Sequence, residues 1–268
     1  MNIAWFMAGL MLSAGTASAG DFDHGHGEWR QLLGKHVVWI DGGGGSQVDY
    51  DGFQKDRSRL TAYLESLSAV SRKTFDGWSR ERRLAFLINA YNAFTVELIL
   101  TRYPDLTSIK DLGSLLSSPW KKKFFNLLEE KRHLDWIEHD MIRKPGVYDD
   151  PRIHAAVNCA SVGCPALRDE AFAAERLDAQ LEDNLIRFLK DRSRNRYNPR
   201  SGTLEVSRIF DWYGGDFREG YRGYDTLEGF FAIYADLLGD APADRERIRS
   251  RRVKIDFLEY DWRLNGAR

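Results

Sequence analysis

From Ser79 to Arg102 the chain carries a helical repeat with almost no polar side. Leu84, Leu87, Ile88, Tyr91, Thr95 and Leu98 recur at the spacing of one broad helix face. The opposite side holds Ala85, Asn89, Ala93, Val96 and Leu100, and Glu97 is its lone charge after Arg83. A helix apolar all round has to be surrounded by other elements, so this segment predicts a central, buried helix. Pro104 lies just beyond its end, as helix stops often do. Asn89 and Asn92 would then be buried, and an unpaired buried amide costs ~1–3 kcal/mol. Either they bond nearby backbone and fix loops, or they line a polar cleft and bind a ligand.

The flanking pattern is α+β, helix-rich, with a small sheet. His36 to Ile40 resembles a short strand and Gly42 to Ser46 a loop. Leu60, Tyr63, Leu64, Leu67 and Val70 have helical spacing, and Thr74 to Trp78 reads as a break. Leu177 to Leu189 is an amphipathic helix, and Leu227 to Leu238 another, closed by Gly239. Thr203 to Val206 and Val253 to Phe257 alternate like strands. There is no internal repeat, no βαβ rhythm and no Gly-rich phosphate loop after a strand, which argues against a nucleotide fold.

The first residues read as a secretory signal. Ile3 to Leu12 is apolar apart from Gly9, and Ala17-Ser18-Ala19 offers a small-x-small cleavage site before Gly20. No Lys or Arg precedes the run. It is well short of the ~20 residues that span a bilayer, and no second stretch is expected to do so. The expected organisation is a signal at 1–19, an N-terminal segment with its Gly-rich loop at 20–47, and a globular domain at 48–265. The mature protein would be exported, periplasmic or secreted, with no stable membrane anchor. Its 39 basic and 40 acidic residues give a net charge of −1, which argues against a nucleic-acid partner. Lys121 to Lys123 is flanked by Trp120 and Phe124 and reads as a solvated loop or helix end. His24 and His26 read as a floppy end.

Three segments carry chemistry. Arg152 to Pro165 holds His154, Asn158, Ser161 and the two cysteines of the chain, Cys159 and Cys164. In a strand His154 and Cys159 face opposite sides, and in a helix they stand about 140° apart. A thiol–imidazole pair therefore needs a bend near Asn158 or a different histidine. In an oxidising compartment two thiols tend to join, and closing this small ring contributes about 2 kcal/mol. The spacing is neither a CxxC redox motif nor a recognised zinc pattern, so no metal is expected. In the second segment Glu138 and His139 are adjacent: a carboxylate-held imidazole could act as a general base, or both could sit on a helix surface. In the third, Arg208 and Asp211 could bind a charged ligand or pair with each other at i, i+3.

Taken together these segments resemble the domain-of-unknown-function 547 family. The likeness rests on Asn89-Ala90-Tyr91-Asn92-Ala93, Ile137-Glu138-His139, and Asp150 to His154 running into Asn158 to Pro165. It continues through Ser207 to Tyr213 and the closing Tyr260-Asp261-Trp262. It covers about Val48 to Asn265. The resemblance implies that Asn89, Asn92, Glu138, His139, His154, Cys159 and Cys164 gather around one cleft, without implying an activity.

Two functions compete. One is a thiol-dependent enzyme for acyl transfer or amide or thioester hydrolysis. In it Cys159 is the nucleophile, His139 or His154 the base, Glu138 or an asparagine its orienter, and N–H groups near Gly163 the oxyanion site. The other is a non-catalytic module stapled by a Cys159–Cys164 disulfide that binds a small molecule or peptide. Neither requires a cofactor.

Overall fold

The computed structural model describes residues 22–114, 117–218 and 220–267. The signal-like residues 1–19 lie outside them. Helix α1 (Gly27–His36) leads into the hairpin β1 (Val37–Ile40) and β2 (Gly45–Val48). Helices α2 (Tyr50–Lys55), α3 (Arg57–Ser68) and α4 (Arg72–Asp76) follow. The break expected at Thr74 is therefore displaced. Ser71 accepts from the Thr74 N–H and caps a short helix that runs to Asp76. The expected floppy end is also packed: His26 is buried, with Nδ1 2.7 Å from the Tyr63 hydroxyl.

Helix α5 (Arg80–Leu100) is the central helix that its pattern predicts. Ser79 caps it by accepting from the Arg82 N–H. Phe86, Leu87, Ile88, Leu98 and Ile99 have no exposed surface, and Phe94 stacks on Phe125 with ring centroids 3.9 Å apart. Burying such side chains contributes ~1.5–3 kcal/mol each. By length and composition α5 could cross a bilayer, contrary to the expectation that no second stretch would. In the fold 89% of its most apolar window is buried by protein, so its apolar surface serves the core.

The hairpin β3 (Phe125–Leu127) and β4 (Glu130–Arg132) leads to a wide π-helical turn, Trp136–Ile142. A 3-10 turn at Pro151–Ala155 opens the cysteine loop. After α6 (Leu177–Lys190), strands β5 (Arg196–Asn198) and β6 (Thr203–Val206) precede α7 (Ile209–Trp212). The helix expected over Leu227–Leu238 is two, α8 (Leu227–Ile233) and α9 (Ala235–Leu238), separated at Tyr234, whose φ of −103° and ψ of 19° leave the helical range. Helix α10 (Pro242–Arg249) and β7 (Lys254–Phe257) complete the described elements. β6 pairs antiparallel with β5 and parallel with β7, forming a mixed sheet beside the two hairpins. The architecture is α+β and helix-rich.

Two apolar clusters form the core. The larger surrounds α5, and the smaller joins α6, α7, α8 and the mixed sheet. Where they meet, the last residues of the chain run back along the cysteine loop. Val162 N–H donates to the Arg263 carbonyl, Gly163 N–H to that of Asp261, and Asn265 N–H to that of Ala160. This return brings Tyr260 and Trp262 to a site built mainly from residues a hundred positions earlier.

Candidate functional site

Between the clusters lies a cavity of about 250 Å³. Its polar wall contains Glu138, His139, His154, Cys159 and Cys164. Tyr91, Tyr213, Tyr260, Trp120, Trp212 and Trp262 supply the aromatic walls. Trp212, 46% exposed, stacks on Trp262 at 5.6 Å, and Tyr260 contacts both.

Glu138 is not on a surface. It is 5% exposed because the π-helical turn directs it toward α5 and α7. The phenols of Tyr91 and Tyr213 hydrogen-bond to it. Burial first, and then the Glu138 charge, push both phenols above their usual range, so each stays a protonated donor.

The histidines join a different chain of contacts. Asp216 binds Arg143 through two bonds of 2.6 and 2.8 Å, and lies 2.7 Å from His154 Nε2. A third Arg143 nitrogen is 2.6 Å from His139 Nδ1, which must accept there because guanidinium only donates. Burial alone would raise the Asp216 carboxyl, but the bonds from Arg143 and His154 outweigh it and hold it well below the usual range. For His154 burial wins over the Asp216 contact, and the imidazole is lowered toward its neutral form. Neutral His154 donates from Nε2, which leaves Nδ1 an acceptor. That atom is buried and has no hydrogen-bond partner among the described residues. The ring stacks on Tyr213 at 4.0 Å.

Cys159 and Cys164 are joined as a disulfide. No hydrogen bond links either cleft imidazole to either sulfur among the described residues, so the expected thiol–imidazole pair is not formed. The disulfide's neighbours are hydroxyls and backbone. Tyr260 Oη lies 3.1 Å from Cys159 Sγ and 3.2 Å from Cys164 Sγ, and Ser161 Oγ lies 3.1 Å from Cys159 Sγ. The Cys159 N–H donates to Cys164 Sγ at 2.9 Å. Tyr260 lies this close because position 163 is glycine: a Cβ there would stand 2.9 Å from its ring. The expected oxyanion site near Gly163 is already committed. The N–H groups of Val162, Gly163 and Cys164 bond to the carbonyls of Arg263, Asp261 and Ser161.

The asparagines take the backbone alternative. Asn89 donates to the Phe172 carbonyl at 2.8 Å and accepts from the Phe172 N–H at 3.0 Å. Asn92 donates to the Ala156 carbonyl at 3.0 Å and accepts from the Asn158 N–H at 2.8 Å. Asn158 spans its own loop, donating to the Pro165 carbonyl and accepting from the Ala160 N–H. All three are buried behind the cleft wall, and their side chains tie backbone segments together there. Arg208 is likewise outside the cleft, half-exposed and 3.3 Å from Asp211.

Asp216, Arg143 and Tyr260 were not picked out by sequence reasoning. Arg143 is one turn after His139, the spacing of a side-chain pair, and Tyr260 falls in a motif that carries the family likeness.

Residues 75–189 match the family described as protein of unknown function, DUF547. No curated protein and no solved structure matches the chain. The DUF547 segment contains Tyr91, Glu138, both cleft histidines and both cysteines. Tyr213, Asp216, Tyr260 and Trp262 come from beyond it and complete the cleft.

Proposed function

We propose that this is an exported binding module whose cleft takes a small organic molecule or peptide side chain bearing a cationic or strongly hydrogen-bond-donating group. The observation that carries this reading is Glu138, a buried carboxylate between two phenols at an aromatic-walled cavity. Asp135 adds a second acidic group to the wall. Aromatic faces attract cations through the ring quadrupole, and Lys110 Nζ already sits 3.8 Å over Trp262. Mostly apolar walls with a few convergent polar groups are the usual form of a small-ligand site. The signal-like Ile3 to Ala19 supports export.

Benzylamine, an aromatic ring with a protonated amine, is the direct probe. Titrated into oxidised protein, it should change tryptophan emission saturably, through Trp120, Trp212 and Trp262. Glu138→Gln should weaken it about tenfold, as expected for one desolvated charge contact, and benzyl alcohol should bind less well. An unsaturable response in the unsubstituted protein rules the reading out.

A second reading, the thiol-dependent acyl transferase or hydrolase, is favoured by the Asp216-held His154 on the same wall as Cys159. It requires reduction of the disulfide. Hydrolysis of p-nitrophenyl acetate by reduced but not oxidised protein, abolished in Cys159→Ser, would decide for it.

A further inference from the structure

We infer that the Cys159–Cys164 disulfide is a thiol–disulfide exchange centre for thiol-bearing small molecules that enter the cleft, with Cys159 the sulfur attacked and Cys164 the leaving thiolate. This rests on the reading that the cleft admits small organic ligands.

Both cysteines line the cavity, and they differ in access: Cys159 is half-buried and Cys164 is 5% exposed. Exchange begins with a thiolate approaching a reachable sulfur, and it is faster when the departing sulfur is stabilised as an anion. Cys164 Sγ already receives the Cys159 N–H at 2.9 Å and the Tyr260 hydroxyl at 3.2 Å. Arg194 hydrogen-bonds the Cys164 carbonyl and is itself ion-paired with the buried Asp191, so it steadies the loop that holds Cys164. Burial keeps the Tyr260 phenol protonated. Glu138 faces the same space and opposes negative charge; the two donors, the Cys159 N–H and the Tyr260 hydroxyl, act directly at Cys164 Sγ.

The balance is complete with a monothiol as the reductant. Its thiolate attacks Cys159 Sγ, a bond forms between the two sulfurs, and the Cys159–Cys164 bond breaks with its electron pair passing to Cys164. A second thiolate attacks the mixed disulfide at the ligand sulfur and releases Cys159 as thiolate. Two thiols are oxidised to one small disulfide, and the protein disulfide gains two electrons and then two protons.

Native oxidised protein is incubated with reduced glutathione, quenched with iodoacetamide and weighed intact. Two alkylated cysteines should appear without unfolding. Cys164→Ser treated with oxidised glutathione should form the mixed disulfide at Cys159 faster than Cys159→Ser forms one at Cys164. In the Cys159→Ser background, adding Tyr260→Phe should move the pH profile of Cys164 alkylation upward, because a donor to the thiolate is gone; a purely structural phenol would leave that profile in place. A disulfide that resists glutathione until guanidinium unfolds the protein overturns the inference, as does faster reaction at Cys164. Benzylamine titration reads the cleft separately. Binding with an inert disulfide overturns exchange alone, and exchange without benzylamine binding overturns the proposed ligand class alone.

Discussion

Asn92→Ala is expected to cost about 3 kcal/mol of stability and to loosen the loop that carries Cys159. The Asn92 side chain spans two backbone groups, the Ala156 carbonyl and the Asn158 N–H. It is 3% exposed, so water does not replace it. Truncation leaves one buried donor and one buried acceptor, each costing ~1–3 kcal/mol, and opens a small cavity in addition. Urea unfolding should show a lower midpoint with an unchanged slope. The consequence for the site is as diagnostic as the stability. Ala156 and Asn158 stand between His154 and Cys159, so benzylamine binding should weaken in the variant at temperatures where it remains folded. Asn89→Ala removes an equivalent pair of bonds, but to Phe172 on another segment. It should cost a similar amount and leave the cleft intact. A loss below about 1 kcal/mol for Asn92→Ala would mean that the loop finds other partners.

The second large effect is expected at Asp216. Its carboxylate holds the Arg143 guanidinium and the His154 imidazole, and Asp216→Ala strands both. Breaking a fully buried pair costs ~3–5 kcal/mol. Asp216 and Arg143 are each about a quarter exposed, so solvent recovers part of that and roughly 2–3 kcal/mol remains. The pH dependence separates this from a simple packing defect. His154 is lowered from 6.5, so the unfolded chain takes up a proton there before the folded one does. That contribution is complete above pH 6.5 and is lost as pH falls below it. Asp216 is lowered from 3.8. Its contribution is complete above that value and is lost as pH falls toward the folded pKa. Unsubstituted protein should therefore weaken in two stages on acidification. Asp216→Ala should remove the Asp216 share of the lower stage, to which other carboxylates held low, such as Asp183 and Asp191, also contribute, and, having removed the group that supports protonated His154, deepen the upper one. Thermal midpoints from about pH 2 to 8 test this, and identical acid profiles for the two proteins would refute the network.

The two effects illustrate how unevenly the sequence disclosed this site. The all-apolar Ser79–Arg102 pattern gave α5 with only its ends trimmed, because a helix without a polar side can exist only inside a fold. The same pattern required partners for Asn89 and Asn92, and the structure supplies backbone ones. Glu138 is the opposite case. A glutamate followed by His139 and Asp140 is compatible with a helix surface, yet a π-helical turn and two distant tyrosines bury it. Turn geometry and long-range phenol donors leave no periodic trace in a chain.

Sequence by itself determined the central helix, the α+β composition, the family likeness and the presence of five cleft residues: Glu138, His139, His154, Cys159 and Cys164. It also left the cysteines as either a joined pair or a nucleophile, and a thiol–imidazole pair needed a bend near Asn158 or a different histidine. Only the tertiary structure decided what those residues do to one another. Asp216 reaches His154 from 62 positions away, and Tyr260 reaches the disulfide from about a hundred. The physical reason is that hydrogen bonds and contact ion pairs form over about 3 Å in space, whereas sequence patterns report neighbours a few residues apart. The chain's return past Gly163 brings Tyr260 and Trp262 beside the Cys159–Cys164 disulfide and gives it an aromatic wall.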